Sequence, residues 1–427
     1  MSPTRIAIAC QGGGTHAAFT WGVLSEILRR QQARPATAAG SAGADVGGDG
    51  PPFQVVSLSG TSAGALCALA AWYGLVPNER DPDCGTPAKA IERLDALWTS
   101  FAARTPAERT HNAVVAKMLD LAESGAPLPR SSPYARWGDA GLTALRALGA
   151  RPEYLGFDGL LASLCPDFDA VDWPGVLAAD VRMIAGAVEV RSGNLEIFDS
   201  DKTLHELGLR SIPFADDQYN STRWRMRRPL TLAGVAASGT LPELLRATEI
   251  EELWFPTAEP EVLEQRTGYY WDGLYSQNPP VRDLLDTAAP DGRPDEIWVI
   301  RINPQELRPI EGSIGLDDIR DRTNALAGNL SLNSELDHIE TVNRWLRAYG
   351  DEHPPLAGRK EVAVRTVKMR RETAWGLSHV SKFDRDLGHL EALRDEGVAV
   401  ASSWLADWEA QGDSFASYPE DARYSLS

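Results

Sequence analysis

Twice before Val76 the chain passes from a short apolar segment, through a glycine turn, into an apolar helical pattern. The first pass is Arg5 to Cys10, then Gln11-Gly12-Gly13-Gly14, then Ala17, Trp21, Leu24 and Leu28 at helical spacing. The second is Phe53 to Leu58, the tight turn Gly60-Thr61-Ser62-Ala63-Gly64, and the largely apolar run Ala65 to Tyr73. Strands this apolar cannot show one face to water. Followed each time by a helix, they belong to a parallel sheet whose crossover helices bury it. The expected fold is α/β, a mainly parallel sheet with helices on both faces.

The remaining chain fits that plan in pieces. From Ala33 to Pro52 the residues are small or polar and read as a flexible surface excursion. Between Val76 and Pro174 helix-like pieces are broken by Pro and Gly, an insertion that either caps a site or merely decorates the fold. Val181 to Val190 and Leu195 to Phe198 flank Ser192-Gly193-Asn194, a hairpin signal. Glu296 to Ile302 is a β-rich run, and Glu361 to Val367 alternates like a strand. Ile319, Leu326, Leu330, Leu336, Ile339, Val342, Leu346 and Tyr349 trace one face of a long helix that stops at Gly350. The expected division is a body over 1–310, interrupted by a helical insertion at about 76–175, with a mostly helical extension over 311–427 packed on it.

Composition narrows the function. With 427 residues, 43% hydrophobic and 24% charged, a large core needs no disulfide or metal staple. Cys10, Cys67, Cys84 and Cys165 form no Cys-x-x-Cys pair, which fits free thiols in a reducing, cytoplasmic setting. No apolar run reaches bilayer-spanning length, and Ile6 to Cys10 is too short for a signal-peptide core. A net charge of −18 argues against nucleic acid as a partner and against strong adhesion to an anionic membrane.

Three motifs carry chemistry. Gly60-Thr61-Ser62-Ala63-Gly64 is a Gly-x-Ser-x-Gly element between a strand and a helix. A serine on such a sharp turn is strained and exposed, and small neighbours let the turn fit against strand and helix. The competing reading is a glycine-rich turn in which Ser62 only caps the helix. In Gln11-Gly12-Gly13-Gly14 the glycines allow backbone N–H groups to approach an anion closely. No Lys-Ser/Thr pair follows for a nucleoside triphosphate, and the spacing of a dinucleotide loop is not met. Tyr270-Trp271-Asp272-Gly273 precedes Asn278-Pro279-Pro280; taken alone, its Asp-Gly pair is most simply a turn.

Together and in order, QGGGTHAAFTWGVL, SGTSAGAL and YYWDGLYSQNPP resemble the patatin-like phospholipase family, particularly its bacterial members. EIWVIRINPQELRP and the long helix after it are similar to that family too. The resemblance implies a Ser-Asp dyad, with Ser62 as nucleophile, Asp272 as its base, and Gly12, Gly13 and Gly14 as the oxyanion loop. It implies cleavage of fatty-acyl carboxylic esters, phospholipid or lysophospholipid, with no cofactor and no metal. Where that family's loop continues as x-Arg/Lys-Gly or x-His-Gly, this chain has Thr15-His16-Ala17.

Other readings compete. His338, His353, His379 and His389 follow Asp272, so the chain order of a Ser-His-Asp triad is available. No His-Glu-x-x-His occurs, which leaves zinc chemistry without support. A non-catalytic lipid-binding protein on the same fold is the third reading. Arg223, Arg225, Arg227 and Arg228 around Trp224 offer a peripheral contact with a membrane headgroup region, against the plainer reading of a solvated edge strand. The small-residue stretch in Thr231 to Leu241 is expected to wall an acyl pocket.

Overall fold

The computed structural model describes residues 3–33, 53–123, 136–171, 181–201, 212–213, 224–242, 245–256, 263–286, 293–306, 316–350, 356 and 359–418. The expected excursion at 34–52, together with Arg223 and His353, lies outside the described residues. One sheet organises the chain. Its strands are β1 (Thr4–Cys10), β2 (Phe53–Gly60), β3 (Arg182–Glu189), β4 (Asn194–Asp199), β5 (Ile212–Pro213), β6 (Trp224–Pro229), β7 (Thr248–Pro256), β8 (Leu263–Asp272), β9 (Glu296–Arg301) and β10 (Ala363–Lys368). The order is β10-β9-β1-β2-β3-β4-β6-β5, and β8 pairs with both β3 and β7. From β10 to β3 every pairing is parallel. Beyond that, β4 and β8 both run antiparallel to β3.

The helices are α1 (Ala18–Ala33), α2 (Ala63–Leu75), α3 (Pro87–Phe101), α4 (Pro106–Glu123), α5 (Arg136–Ala147), α6 (Pro152–Leu155), α7 (Phe157–Leu164), α8 (Leu232–Ser238), α9 (Leu316–Tyr349), α10 (Arg371–Gly376) and α11 (Leu387–Gln411). Side chains of a strand alternate between faces, and here both sets are apolar. Ile6, Ile8 and Cys10 of β1 and Trp298 and Ile300 of β9 enter one core, with Phe19 of α1, Trp72 of α2 and Leu390 of α11. Ala7, Ala9, Ile297 and Val299 enter the other, against Leu332, Leu336 and Ile339 of α9. The fold is thus α/β, with a largely parallel sheet covered on both faces. No described helix is long and apolar enough to cross a membrane.

One feature differs from the sequence reading. The buried face of α9 is Ala325, Asn329, Leu332, Leu336, Ile339 and Asn343, while Ile319, Leu330 and Tyr349 are exposed at 51%, 62% and 53%. An apolar count misplaces the face because three polar side chains, Asn329, Glu335 and Asn343, are buried on this helix and receive hydrogen bonds from neighbouring segments. The chain beyond 310 carries the strand expected over Glu361 to Val367. It supplies β10 beside β9, and Leu390 and Leu405 of α11 enter the core beside α1.

Candidate active site

Sheet register brings the two motif residues together. β4 occupies one edge of β3, so β2 and β8 share the other edge. They meet there end to end: Gly60 of β2 stands opposite Ala185, and Asp272 of β8 stands opposite Ala187. The turn leaving β2 and the last residue of β8 therefore converge although 210 positions separate Ser62 from Asp272. The Asp-Gly turn stands beside the serine turn because β8 ends there.

Ser62 has φ 56 and ψ −134 and is the sole non-glycine at positive φ among the described residues. That region is costly for a residue with a Cβ and persists where surroundings enforce it. Here the Ser62 N–H donates to Ser238 O at 3.0 Å and Ser238 Oγ at 3.1 Å, and Ser238 Oγ donates to Gly186 O at 2.7 Å. Flanking glycines are required by space. A Cβ at Gly60 would lie 2.4 Å from Gly64 O, and one at Gly64 would lie 2.3 Å from Cys10 O. Ser62 occupies the N-cap position of α2, yet its side chain makes no capping hydrogen bond. The hydroxyl is free for other chemistry, which removes the simple capping reading.

Asp272 is fully buried. Its Oδ1 accepts from the Leu274 N–H at 2.7 Å, and Oδ2 has no hydrogen-bond partner. Burial pushes its carboxyl up to about 7; the Leu274 N–H and the nearby Ser62 hydroxyl oppose the shift without cancelling it. Ser62 is near enough to favour the carboxylate, but the pair does not form a closed hydrogen bond. Neither residue bonds a histidine among the described residues. His16 is held through Nε2 to Ser381 Oγ at 2.8 Å, and burial holds it well below the usual histidine range. His338 is exposed on α9.

The glycine loop needs one correction. The Gly12 N–H donates to Asn278 Oδ1 at 2.6 Å, and Asn278 Nδ2 returns a bond to Gly12 O at 3.3 Å. That amide is spent, so Gly12 serves as the point of closest approach instead: a Cβ there would stand 2.4 Å from Thr61 O and 2.8 Å from Ser62 Cβ. Gly14 takes φ +59, and its ideal Cβ would lie 2.3 Å from Lys382 O. Gln11 anchors the loop from below, accepting from the Ile302 and Asn303 N–H groups at 2.9 and 3.0 Å. Gly14 borders the same cavity as Ser62.

That cavity, about 300 Å³, has Ser62 in one wall and a mainly apolar lining. Leu97, Trp98 and Phe101 come from α3, and His111 and Val115 come from α4. The insertion thus covers the site. Gly239 and Leu241 follow α8 in the wall, where the small-residue stretch was expected to be. Sequence reasoning did not single out Asn278, Asn303, Lys382 and Arg385. Asn278 stood inside a quoted string, but nothing in the sequence joins residues 382 and 385 to a loop at 12–14.

Of the arginine cluster, Arg227 and Arg228 stand outside that cavity and are engaged in ion pairs. Arg227 bridges Asp199, Asp283 and Asp286 at 2.7, 3.2 and 2.6 Å, and buried Arg228 pairs with Glu196 at 2.8 Å. All four cysteines are free, and burial pushes the Cys67 thiol up to about 12. Among the described residues no group of three His, Cys, Asp or Glu is placed to hold a metal ion.

No protein-family model matches the chain, and no curated protein does. Among solved structures it is similar to VipD from Legionella pneumophila, at 11% identity and a TM-score of 0.30 over 93% of this chain and 67% of that one. At that level the likeness supports no conclusion about chemistry.

Proposed function

We propose that the chain is a serine lipid-acyl hydrolase of patatin-like type, cleaving fatty-acyl carboxylic esters of phospholipid or lysophospholipid class. The observation that carries this reading is the meeting of a strained, uncapped serine with a buried carboxyl whose pKa stands at about 7. A serine hydroxyl is a poor nucleophile until a base takes its proton, and a base works best with a pKa near the working pH. As a carboxylate, Asp272 accepts the proton while Ser62 Oγ bonds to the ester carbonyl carbon. Negative charge arises on the carbonyl oxygen, and the Gly13 and Gly14 amides stabilise it. The bond to the alkoxy oxygen then breaks, and the proton on Asp272 passes to the leaving alcohol. Water attacks the acyl-Ser62 ester with Asp272 again taking a proton, and fatty acid leaves with Ser62 restored.

The apolar lining suits an acyl chain, and its volume suits one substrate tail. The test is a panel of lipid and short acyl esters, with fluorophosphonate labelling, on wild type and Ser62→Ala. Wild type should hydrolyse an ester and become labelled; Ser62→Ala should do neither while keeping its circular dichroism. Equal labelling of the two proteins would remove Ser62 as nucleophile.

A further inference from the structure

Arg385 stands in the wall of the cavity that contains Ser62. Its guanidinium lies between two rings, 3.9 Å from the centroid of Phe101 and 3.8 Å from that of Tyr154. Nε donates to Phe101 O and Nη1 to Tyr154 O, both at 2.8 Å, and Nη2 has no hydrogen-bond partner among the described residues. No described acidic side chain lies within ion-pair distance. Glu108, whose charge acts on Arg385 through space, is already taken by Arg151 and by the N–H groups of Arg104 and Thr105.

A half-buried cation with no counter-ion is still costly, because two carbonyl dipoles and two ring faces replace only part of its hydration. Burial lowers this guanidinium to about 10, which still leaves it charged at neutral pH. Tying Phe101 to Tyr154 would need only a neutral donor. What a guanidinium adds is a planar fork that matches carboxylate and phosphate oxygens. Lys382, three residues earlier, borders the same cavity beside Gly14, and Glu153 is the wall's one carboxylate among the described residues. The wall thus carries two cations to one acid inside a chain of net charge −18.

We propose that this cavity selects esters bearing an anionic group, a carboxylate or a phosphate, which docks on Arg385 while the ester carbonyl sits at Ser62. The inference rests on the hydrolase reading for its second half only. Two matched pairs of substrates locate the charge. 4-Nitrophenyl hexanoate against mono-4-nitrophenyl adipate places it at the far end of the acyl chain. A monoacylglycerol against the lysophosphatidate of the same chain places it on the alcohol side. In one pair, wild type should favour the anionic ester by at least about tenfold in kcat/KM, and Arg385→Gln should remove that preference while Arg385→Lys keeps part of it. No preference in either pair, or a preference that survives Arg385→Gln, overturns the proposal.

Should Arg385→Gln unfold the chain, binding to Ser62→Ala decides the matter without turnover. Decyl phosphate should bind this protein at least about tenfold more tightly than decanol, a margin that Arg385→Lys narrows. Equal affinities reduce Arg385 to a clamp. Tight decyl phosphate binding with no hydrolysis by wild type would keep the anion site and sink the hydrolase reading.

Discussion

Asp272 carries the sharpest consequences of a single side chain. Its carboxyl is raised from 3.8 to about 7, so the folded state holds the proton over a range in which the unfolded chain has lost it. Stability then falls as pH rises through that window, and the full cost is present above pH 7. Activity runs the other way, since only the carboxylate can take the proton from Ser62. Hydrolysis should rise about tenfold per pH unit below pH 7 and level off above it. Asp272→Asn should lower turnover by roughly 10²–10⁴. The same variant should be more stable than wild type by on the order of a few kcal/mol at pH 8, with little difference at pH 4. Urea unfolding at both pH values, beside a pH-rate profile, checks the pair; a variant that is inactive and also less stable at pH 8 would refute this account of the shift. The elbow around Ser62 was legible as a local pattern of small residues, whereas Asp272 was singled out only through the family resemblance. The fate of the Gly12 amide was not legible, because it depends on Asn278, which lies 266 positions away.

Asn278 keeps its place through α9. Glu335 of that helix is buried and accepts from Gln277 Nε2 at 2.5 Å, the Arg282 N–H at 2.9 Å and Arg282 Nε at 2.6 Å. These contacts bracket Asn278 on both sides, and Asn278 in turn fixes Gly12. Glu335→Ala would leave buried donors without an acceptor and should cost about 3 kcal/mol, measured by urea unfolding. If α9 positions the loop as described, fluorophosphonate labelling of the folded variant should also slow, whereas Glu335→Gln should retain more of both properties. Normal labelling in a destabilised Glu335→Ala would confine the helix to a structural role. The extent of α9 was readable from its period and its glycine stop. Its inward face was not, because polar groups that hold the site loops sit where an apolar stripe was sought. The insertion's helices were similarly visible as pieces, but their place over Ser62 depends on packing that no periodicity encodes.

Charge distribution over the molecule bears on how substrate arrives. Of the arginines that could have met a membrane, Arg227 and Arg228 are spent on Asp199, Asp283, Asp286 and Glu196. Removing them should therefore unfold the chain more readily without altering vesicle binding, since buried Asp283 and Glu196 each lose an ion pair. What an approaching bilayer meets at long range is a net charge of −18. That field repels anionic surfaces over about a Debye length, roughly 10 Å at 0.1 M salt. Against it, an anionic amphiphile reaching the cavity singly would gain the local attraction of Arg385 after crossing the outer field. The expected outcome is weaker partitioning to anionic than to zwitterionic vesicles at low salt, with the difference closing as salt is raised. Vesicle sedimentation of wild type and of Arg227→Gln measures both effects. Tighter binding to anionic vesicles that weakens with salt, and weakens further in Arg227→Gln, would restore the basic patch as a membrane contact.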